Sequence, residues 1–384
     1  MSTPADFYSD EITRLTVEGN LRRIPAADSP RGLIDLSSND YLGLADSDDL
    51  RREFFDSAEW SNLALTSSAS RLLAGSQSIY TRLENTLAEL YGRPALLFNS
   101  GYHANTGIVA ALAGAPRTLI AADRLAHASI IDGITLSRAP FTRFRHNDLA
   151  HLERILEKEC HNYDRVLVIT ESVFSMDGDS ADIEALIDLR ERFPKMLLYI
   201  DEAHAIGALG RKGLGLVADS DRAGKVDITV GTFGKACASA GAFAAVSSEV
   251  KSYLVNRARS LIFSTALPPI NIAWTDYIIR RIASMDDKRE HLRRLGDYLH
   301  TILAPLSPHH NIEPSHIQPL VVGDPHRAVA LSERLLKHGF KVLPIRVPTV
   351  PRGTDRLRVS LSAALTINDI NRFGLALHES LAEK

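Results

Sequence analysis

Short, continuously apolar runs recur through the first two-thirds of the chain: 95–98 (ALLF), 118–121 (TLIA), 165–170 (RVLVIT), 196–200 (MLLYI) and 227–232 (DITVGT). A run this short, with no polar alternation, reads as a strand covered on both faces. Between the runs, HLERILEKEC (151–160) and IEALIDLRERF (183–193) place apolar residues three and four apart, the period of a helix lying on a sheet. Strand, helix and strand repeated in this way define the α/β class with a mostly parallel sheet. Ligands of such sheets bind at the carboxyl ends of the strands, so chemistry is expected in the residues that directly follow each run.

After about residue 270 the pattern changes. A long helical stretch over 270–303 leads to strands near 317–323, 341–345 and 356–362 and helices near 326–338 and 367–381. This predicts an N-terminal helix and arm over 1–40, a large domain over 41–275 and a smaller C-terminal α/β domain over 276–384. The chain carries 44 Lys and Arg against 47 Asp and Glu, a near-balance that gives no general field for nucleic acid. Cys160 and Cys237 are too few for a disulfide framework. No stretch of about 18 uncharged apolar residues is present to span a membrane. The start, MSTPADFYSDEITRL, shows no basic segment followed by an apolar one, so a cytoplasmic location is expected.

The run at 196–200 stops at Asp201-Glu202-Ala203-His204. Such a segment holds magnesium in an ATP-driven helicase, or a cationic group of an organic cofactor. A helicase also needs the phosphate cradle G-x-x-x-x-G-K-[ST]. Around Lys235 that pattern fails at Thr229 and Ala236, and around Lys225 it fails at Asp219 and Val226. A metal site of Asp201, His204 and His127 lacks any paired-ligand motif.

Lys235 itself follows a buried run and is surrounded by small residues in TFGKACASAG. A surface lysine has no need of such neighbours. A lysine approached by a flat ring does, and apolar surroundings desolvate the ammonium and favour the free, nucleophilic amine. A lysine that forms a Schiff base with pyridoxal phosphate fits, and the pyridine nitrogen of that cofactor needs a carboxylate, which Asp201 can supply. FNSGYHAN (98–105) offers helix-start N–H groups to an anion, with Gly101 allowing a tight turn. His127, in ADRLAHASIIDG, has an aromatic face to lay over the ring, although a lone histidine there is more often a surface or helix-capping residue.

Together these stretches resemble the α-oxoamine synthases, fold-type I pyridoxal-phosphate enzymes that join an amino acid to an acyl thioester with loss of carbon dioxide. The matching segments run in order: LSSNDYLGL (36–44), SRLLAGS (70–76), FNSGYHAN (98–105), ADRLAHASI (122–130), ESVFSMDGD (171–179), IDEAHAIGALG (200–210), TFGKACASAG (232–241), FSTALPP (263–269) and PTVPRGTDRLRVSLSA (348–363). SHIQPLVVGD (315–324) and the short N-terminus most resemble the biotin-pathway branch, which uses L-alanine and a pimeloyl thioester on coenzyme A or acyl carrier protein. PTVPRGTDRLR is shared by other branches, so 2-amino-3-ketobutyrate ligase, 5-aminolevulinate synthase and serine palmitoyltransferase stay open as alternatives. The resemblance implies a large domain with a seven-stranded type of sheet.

It also implies roles. Lys235 carries the cofactor, Asp201 keeps its ring nitrogen protonated, His204 and Ser175 reach the phenolic oxygen, and His127 stacks on the ring and polarises the thioester. Gly101, Tyr102 and Thr232 hold the phosphate, and Ser264 and Thr265 reach the phosphate of a neighbouring subunit, which implies a homodimer with shared sites. Arg358 binds the amino-acid carboxylate with its planar fork, and Arg22, Asn39 and Thr349 line the substrate side. Two departures bear on the acyl channel. Ser67, Ser68 and Ala69 stand where the family is glycine-rich, and Ala364-Leu365-Thr366 stands where it commonly has Ala-His-Thr.

Overall fold

Seven strands build the sheet that carries the predicted site: β1 (Ala95–Phe98), β2 (Thr118–Asp123), β3 (Phe141–Phe144), β4 (Arg165–Glu171), β5 (Met196–Asp201), β6 (Ile228–Thr232) and β7 (Ala242–Ala245). The computed structural model describes residues 4–24, 32–60, 62–73, 78–307 and 313–383. Part of the expected N-terminal arm (25–31) and the end of the SRLLAGS stretch (74–76) lie outside the described residues. The strand order is β1-β7-β6-β5-β4-β2-β3; β7 is antiparallel to both of its neighbours, β1 and β6, and the other adjacent pairs are parallel.

Alternation along each strand explains why the runs are continuously apolar. Ile120, Ala122, Leu167, Ile169, Tyr199, Ile228 and Val230 belong to one buried cluster. Leu119, Ala121, Val166, Val168, Leu198 and Ile200 belong to the other. Both faces are covered, and each such aliphatic side chain contributes about 1.5–3 kcal/mol by leaving water. Two strands were not expected. β3 (FTRF) is an edge strand with only Phe144 buried, so it lacks the apolar signature. β7 (AFAA) is mostly alanine, a residue depleted in strands, although all four of its residues are buried.

The chain divides into two compact units, Leu42–Ser175 with Ser180–Arg289, and Met1–Tyr41 with Met176–Asp179 and Glu290–Lys384. This differs from the expected division into 1–40, 41–275 and 276–384. The reason at the C-terminal side is the helix Pro269–Ile282, which buries Ile272, Ala273, Ile278 and Ile282. Its Asp276 accepts a 2.7 Å hydrogen bond from Thr86, inside the larger unit. The predicted long helix over 270–303 is therefore two helices, Pro269–Ile282 and Asp286–Leu303.

At the N-terminal side, Ile34–Asp35 pairs in parallel with Phe340–Lys341, and Leu36 O and Tyr41 O accept from Ser360 and Ala363. The arm is thus part of the smaller unit rather than a separate piece. In that unit Arg356–Ser360 is the centre of a three-stranded antiparallel sheet, between Ile317–Val321 and Leu343–Ile345. Among the described residues no helix is long and apolar enough to cross a membrane.

Candidate active site

β4 and β5 end in register, with Glu171 opposite Asp201, and Asp201 lies opposite Val230 of β6, which runs two residues further to Thr232. Asp201 is 4% exposed. Its Oδ1 accepts the N–H of Ala203 at 2.9 Å, and its Oδ2 accepts from Asn105 Nδ2 at 2.7 Å. The chain then turns, and His204 Nε2 comes within 2.7 Å of Lys235 Nζ, which leaves the end of β6.

Two local features make that approach feasible. Gly207 has φ +83°, and a Cβ there would lie 2.7 Å from the Cβ of Ala236, so only glycine lets the two loops come this close. Ala238 sits at φ 43°, a left-handed conformation that costs an alanine about 1–3 kcal/mol. Its carbonyl is held by Trp274 Nε1 at 2.8 Å, and its N–H donates to Lys235 O at 2.9 Å. Lys235 is half-buried, not a freely solvated loop lysine.

His127 caps the helix Ala128–Ser137, its Nδ1 accepting the N–H of Ser129 at 3.2 Å. Its own N–H donates to Glu171 Oε1 at 2.6 Å. Desolvation by the surrounding protein lowers the His127 pKa from its ordinary value, with the Asp201 charge opposing and the Lys235 charge assisting, although the residue as a whole is exposed. Burial pushes the Glu171 carboxyl well above the usual carboxylate range, and the neighbouring Asp201 charge adds to the effect. The cap and the cofactor-site readings of His127 are thus compatible. Asn105, Ser129, Tyr199 and Glu171 were missed in the sequence. Glu171 bears the same mark as Asp201, a carboxylate ending a buried strand, and Asn105 lies one helical turn beyond Gly101.

Ser100 is the N-cap of the helix Gly101–Ala113 and accepts the N–H of His103. The N–H groups of Gly101 and Tyr102 have no protein partner among the described residues. Thr232 is adjacent, since a Cβ on Gly101 would lie 3.7 Å from its Oγ1, and its hydroxyl donates to Gly241 O at 3.1 Å. The expected tight turn at Gly101 is not found: it is the first helical residue and does not adopt a positive φ. The Tyr102 ring is exposed, with its hydroxyl on Asp132, so its backbone is what faces an anion at the helix start.

Ser175 is half-buried in the loop after β4. Thr265 O accepts from Asn99 Nδ2 at 2.6 Å, while the hydroxyls of Ser264 and Thr265 have no protein partner among the described residues. Ser68, in the segment that departs from the family's glycines, has φ 54°, a conformation for which glycine is the natural residue. Among the described residues no group of three or more His, Cys, Asp or Glu is arranged to hold a metal ion.

In the smaller unit Arg358 is 7% exposed and donates to Asn39 Oδ1 at 3.1 Å, Ser360 Oγ at 2.6 Å and Tyr41 OH at 3.4 Å. These three acceptors are uncharged. Burial pushes the Tyr41 phenol up to about 12, opposed by the Arg358 charge, so Tyr41 stays neutral. Arg22 donates to Thr349 Oγ1 at 2.7 Å and lines a cavity of about 850 Å³ with Asn20, His326 and Arg352. Asn39 with Arg358, and Arg22 with Thr349, are therefore brought together in pairs.

Comparison with known proteins adds three findings. The pattern of the family described as "Aminotransferase class I and II" matches residues 31–376. A Pasteurella multocida protein provisionally named 8-amino-7-oxononanoate synthase is 46% identical, covering 98% of this chain and 99% of the relative. A Neisseria meningitidis protein with the same provisional name is 45% identical, covering 96% and 99%. Among solved structures, a serine palmitoyltransferase from S. paucimobilis superposes with a TM-score of 0.86 at 28% identity over 98% of both chains. The 8-amino-7-oxononanoate synthase of Francisella tularensis superposes with a TM-score of 0.76 at 26% identity over 91% of this chain and 98% of its own.

Proposed function

Because this chain belongs to the class I and II aminotransferase family, and within it to the pyridoxal-phosphate-dependent α-oxoamine synthases, we propose that it condenses L-alanine with a pimeloyl thioester. The products are 8-amino-7-oxononanoate, carbon dioxide and the freed carrier, a step toward biotin. The donor is coenzyme A or acyl carrier protein, and the setting is the cytoplasm.

The observation that carries the reading is the meeting of Lys235 Nζ with His204 beside the buried, doubly hydrogen-bonded Asp201 at adjoining strand ends. Pyridoxal 5'-phosphate, when bound, supplies an electron sink for negative charge at the amino-acid Cα. Lys235 would bond its aldehyde carbon, Asp201 would meet its ring nitrogen, and the N–H groups of Gly101 and Tyr102 would hold its phosphate, joined by the Thr232 hydroxyl once that turns from Gly241 O. His204 and Ser175 serve its phenolic oxygen. Ser264 and Thr265, with their free hydroxyls, serve the phosphate of a second subunit, so the enzyme works as a homodimer with shared sites.

Lys235 Nζ, once released, takes the Cα proton of alanine, and neutral His127 donates a hydrogen bond to the thioester oxygen as charge builds there. Arg358, supported by Asn39, binds a carboxylate through its fork. Arg22 and Thr349 orient the acyl donor. The serine palmitoyltransferase likeness supports a second reading, in which serine and a long acyl chain are used. The 46% full-length identity to a protein provisionally named 8-amino-7-oxononanoate synthase, against 28% to the serine palmitoyltransferase, supports the first.

The deciding experiment offers alanine, glycine and serine, each with thioesters of several chain lengths, and measures released thiol. The proposal expects alanine with pimeloyl thioester to give the highest kcat/KM. A preference for glycine or serine would replace it with another member of the family.

A further inference from the structure

Asn105 is 1% exposed in the middle of a helix, where an asparagine is a poor helix former and a buried amide must be fully hydrogen-bonded. Each end of its amide has a partner. Nδ2 lies 2.7 Å from Asp201 Oδ2 and 2.9 Å from Ser129 Oγ, and Oδ1 lies 2.5 Å from the hydroxyl of Tyr199. The carboxylate oxygen can only accept, so the NH2 group must face it, and Tyr199 must donate to the amide oxygen. Burial, reinforced by the Asp201 charge, holds the Tyr199 phenol well above its ordinary pKa, so it remains a donor.

The chain continues beyond Ser129. Its hydroxyl accepts from Asn105, which leaves its proton for His127 Nδ1 at 2.8 Å. The same Nδ1 accepts the backbone N–H of Ser129, so it carries no proton, and neutral His127 bears its hydrogen on Nε2. Gly133 lets this helix sit against Asn105, because a Cβ there would lie 3.0 Å from Asn105 O and 2.9 Å from Val109 Cβ.

We infer that Asn105 is a positioning residue that joins Asp201 and His127 into one hydrogen-bonded unit and biases the proton shared by Asp201 and the cofactor toward the ring nitrogen. A donor aimed at a carboxylate stabilises its anion, so the proton stays on the ring partner. The inference rests on the proposed placement of the ring against Asp201.

The test loads wild type, Asn105→Ala and Tyr199→Phe with pyridoxal phosphate labelled with 15N in the ring and records the ring-nitrogen resonance. The expected result is a protonated nitrogen in wild type, a move toward the unprotonated position in Asn105→Ala, and a smaller move the same way in Tyr199→Phe. Cα-hydrogen exchange of L-alanine should slow by ~10-fold or more in Asn105→Ala, the scale of one charge-assisted hydrogen bond. The Tyr199→Phe reading stands by itself if the first variant fails to fold. A protonated signal unmoved in the variants overturns the inference alone. An unprotonated ring in wild type overturns it together with the ring placement.

Discussion

Asp201 and Arg22 are both assigned to a reacting molecule, yet the protein holds them very differently. Asp201 is 4% exposed on a strand flanked by β4 and β6, with both carboxylate oxygens hydrogen-bonded. Arg22 is exposed on an irregular segment tied down by Arg346, which donates to Gly19 O and Leu21 O. The group proposed to tune a cofactor's charge is set in a rigid, dry frame. The group proposed to meet one end of the acyl donor sits where solvent and alternative positions compete. Arg358 lies between these cases, buried like Asp201 but on the smaller unit like Arg22.

This contrast ranks the consequences of mutation. Asp201→Asn should keep some cofactor yet lose ~10²–10⁴-fold in kcat, because the proton-holding charge disappears. Deuterium exchange at the Cα of alanine, followed by NMR, measures this, and near-normal exchange would break the contrast at its strong end.

Arg358→Ala should raise KM for alanine by ~10–100-fold, the scale of a lost hydrogen-bonded ion contact, with kcat less affected. Arg358→Lys should recover only part, since a point charge does not replace a fork.

Arg22→Ala should change KM for the thioester by less than ~10-fold, as expected of an exposed group. An effect as large as that of Arg358→Ala would erase the distinction between buried and exposed arginines.

Ser68→Gly should be the mildest change. Relief of the left-handed conformation and the added freedom of the unfolded chain are each ~1 kcal/mol and oppose one another. Urea denaturation should therefore place its midpoint close to that of wild type.

The same contrast governs what could be read from the sequence. Asp201 and Lys235 stand out because each follows a run of continuously buried residues, where a polar group needs a reason. Arg22 and Asn39 had only the family resemblance behind them. β7 escaped notice because alanines give no strand signal, and β3 because an edge strand is not continuously apolar. The grouping of 1–41 with the C-terminal unit depends on pairing across more than three hundred residues, which no local pattern carries. The Asp201–Asn105–Ser129–His127 chain is of the same kind, since Asn105 and Ser129 look like ordinary helix residues until two helices pack together.

Borohydride reduction of the cofactor-loaded protein, followed by peptide mass mapping, tests the centre of the account most directly. It should leave a reduced pyridoxyl group on Lys235 and on no other lysine. A pyridoxyl group found elsewhere, with Lys235 unmodified, would contradict it.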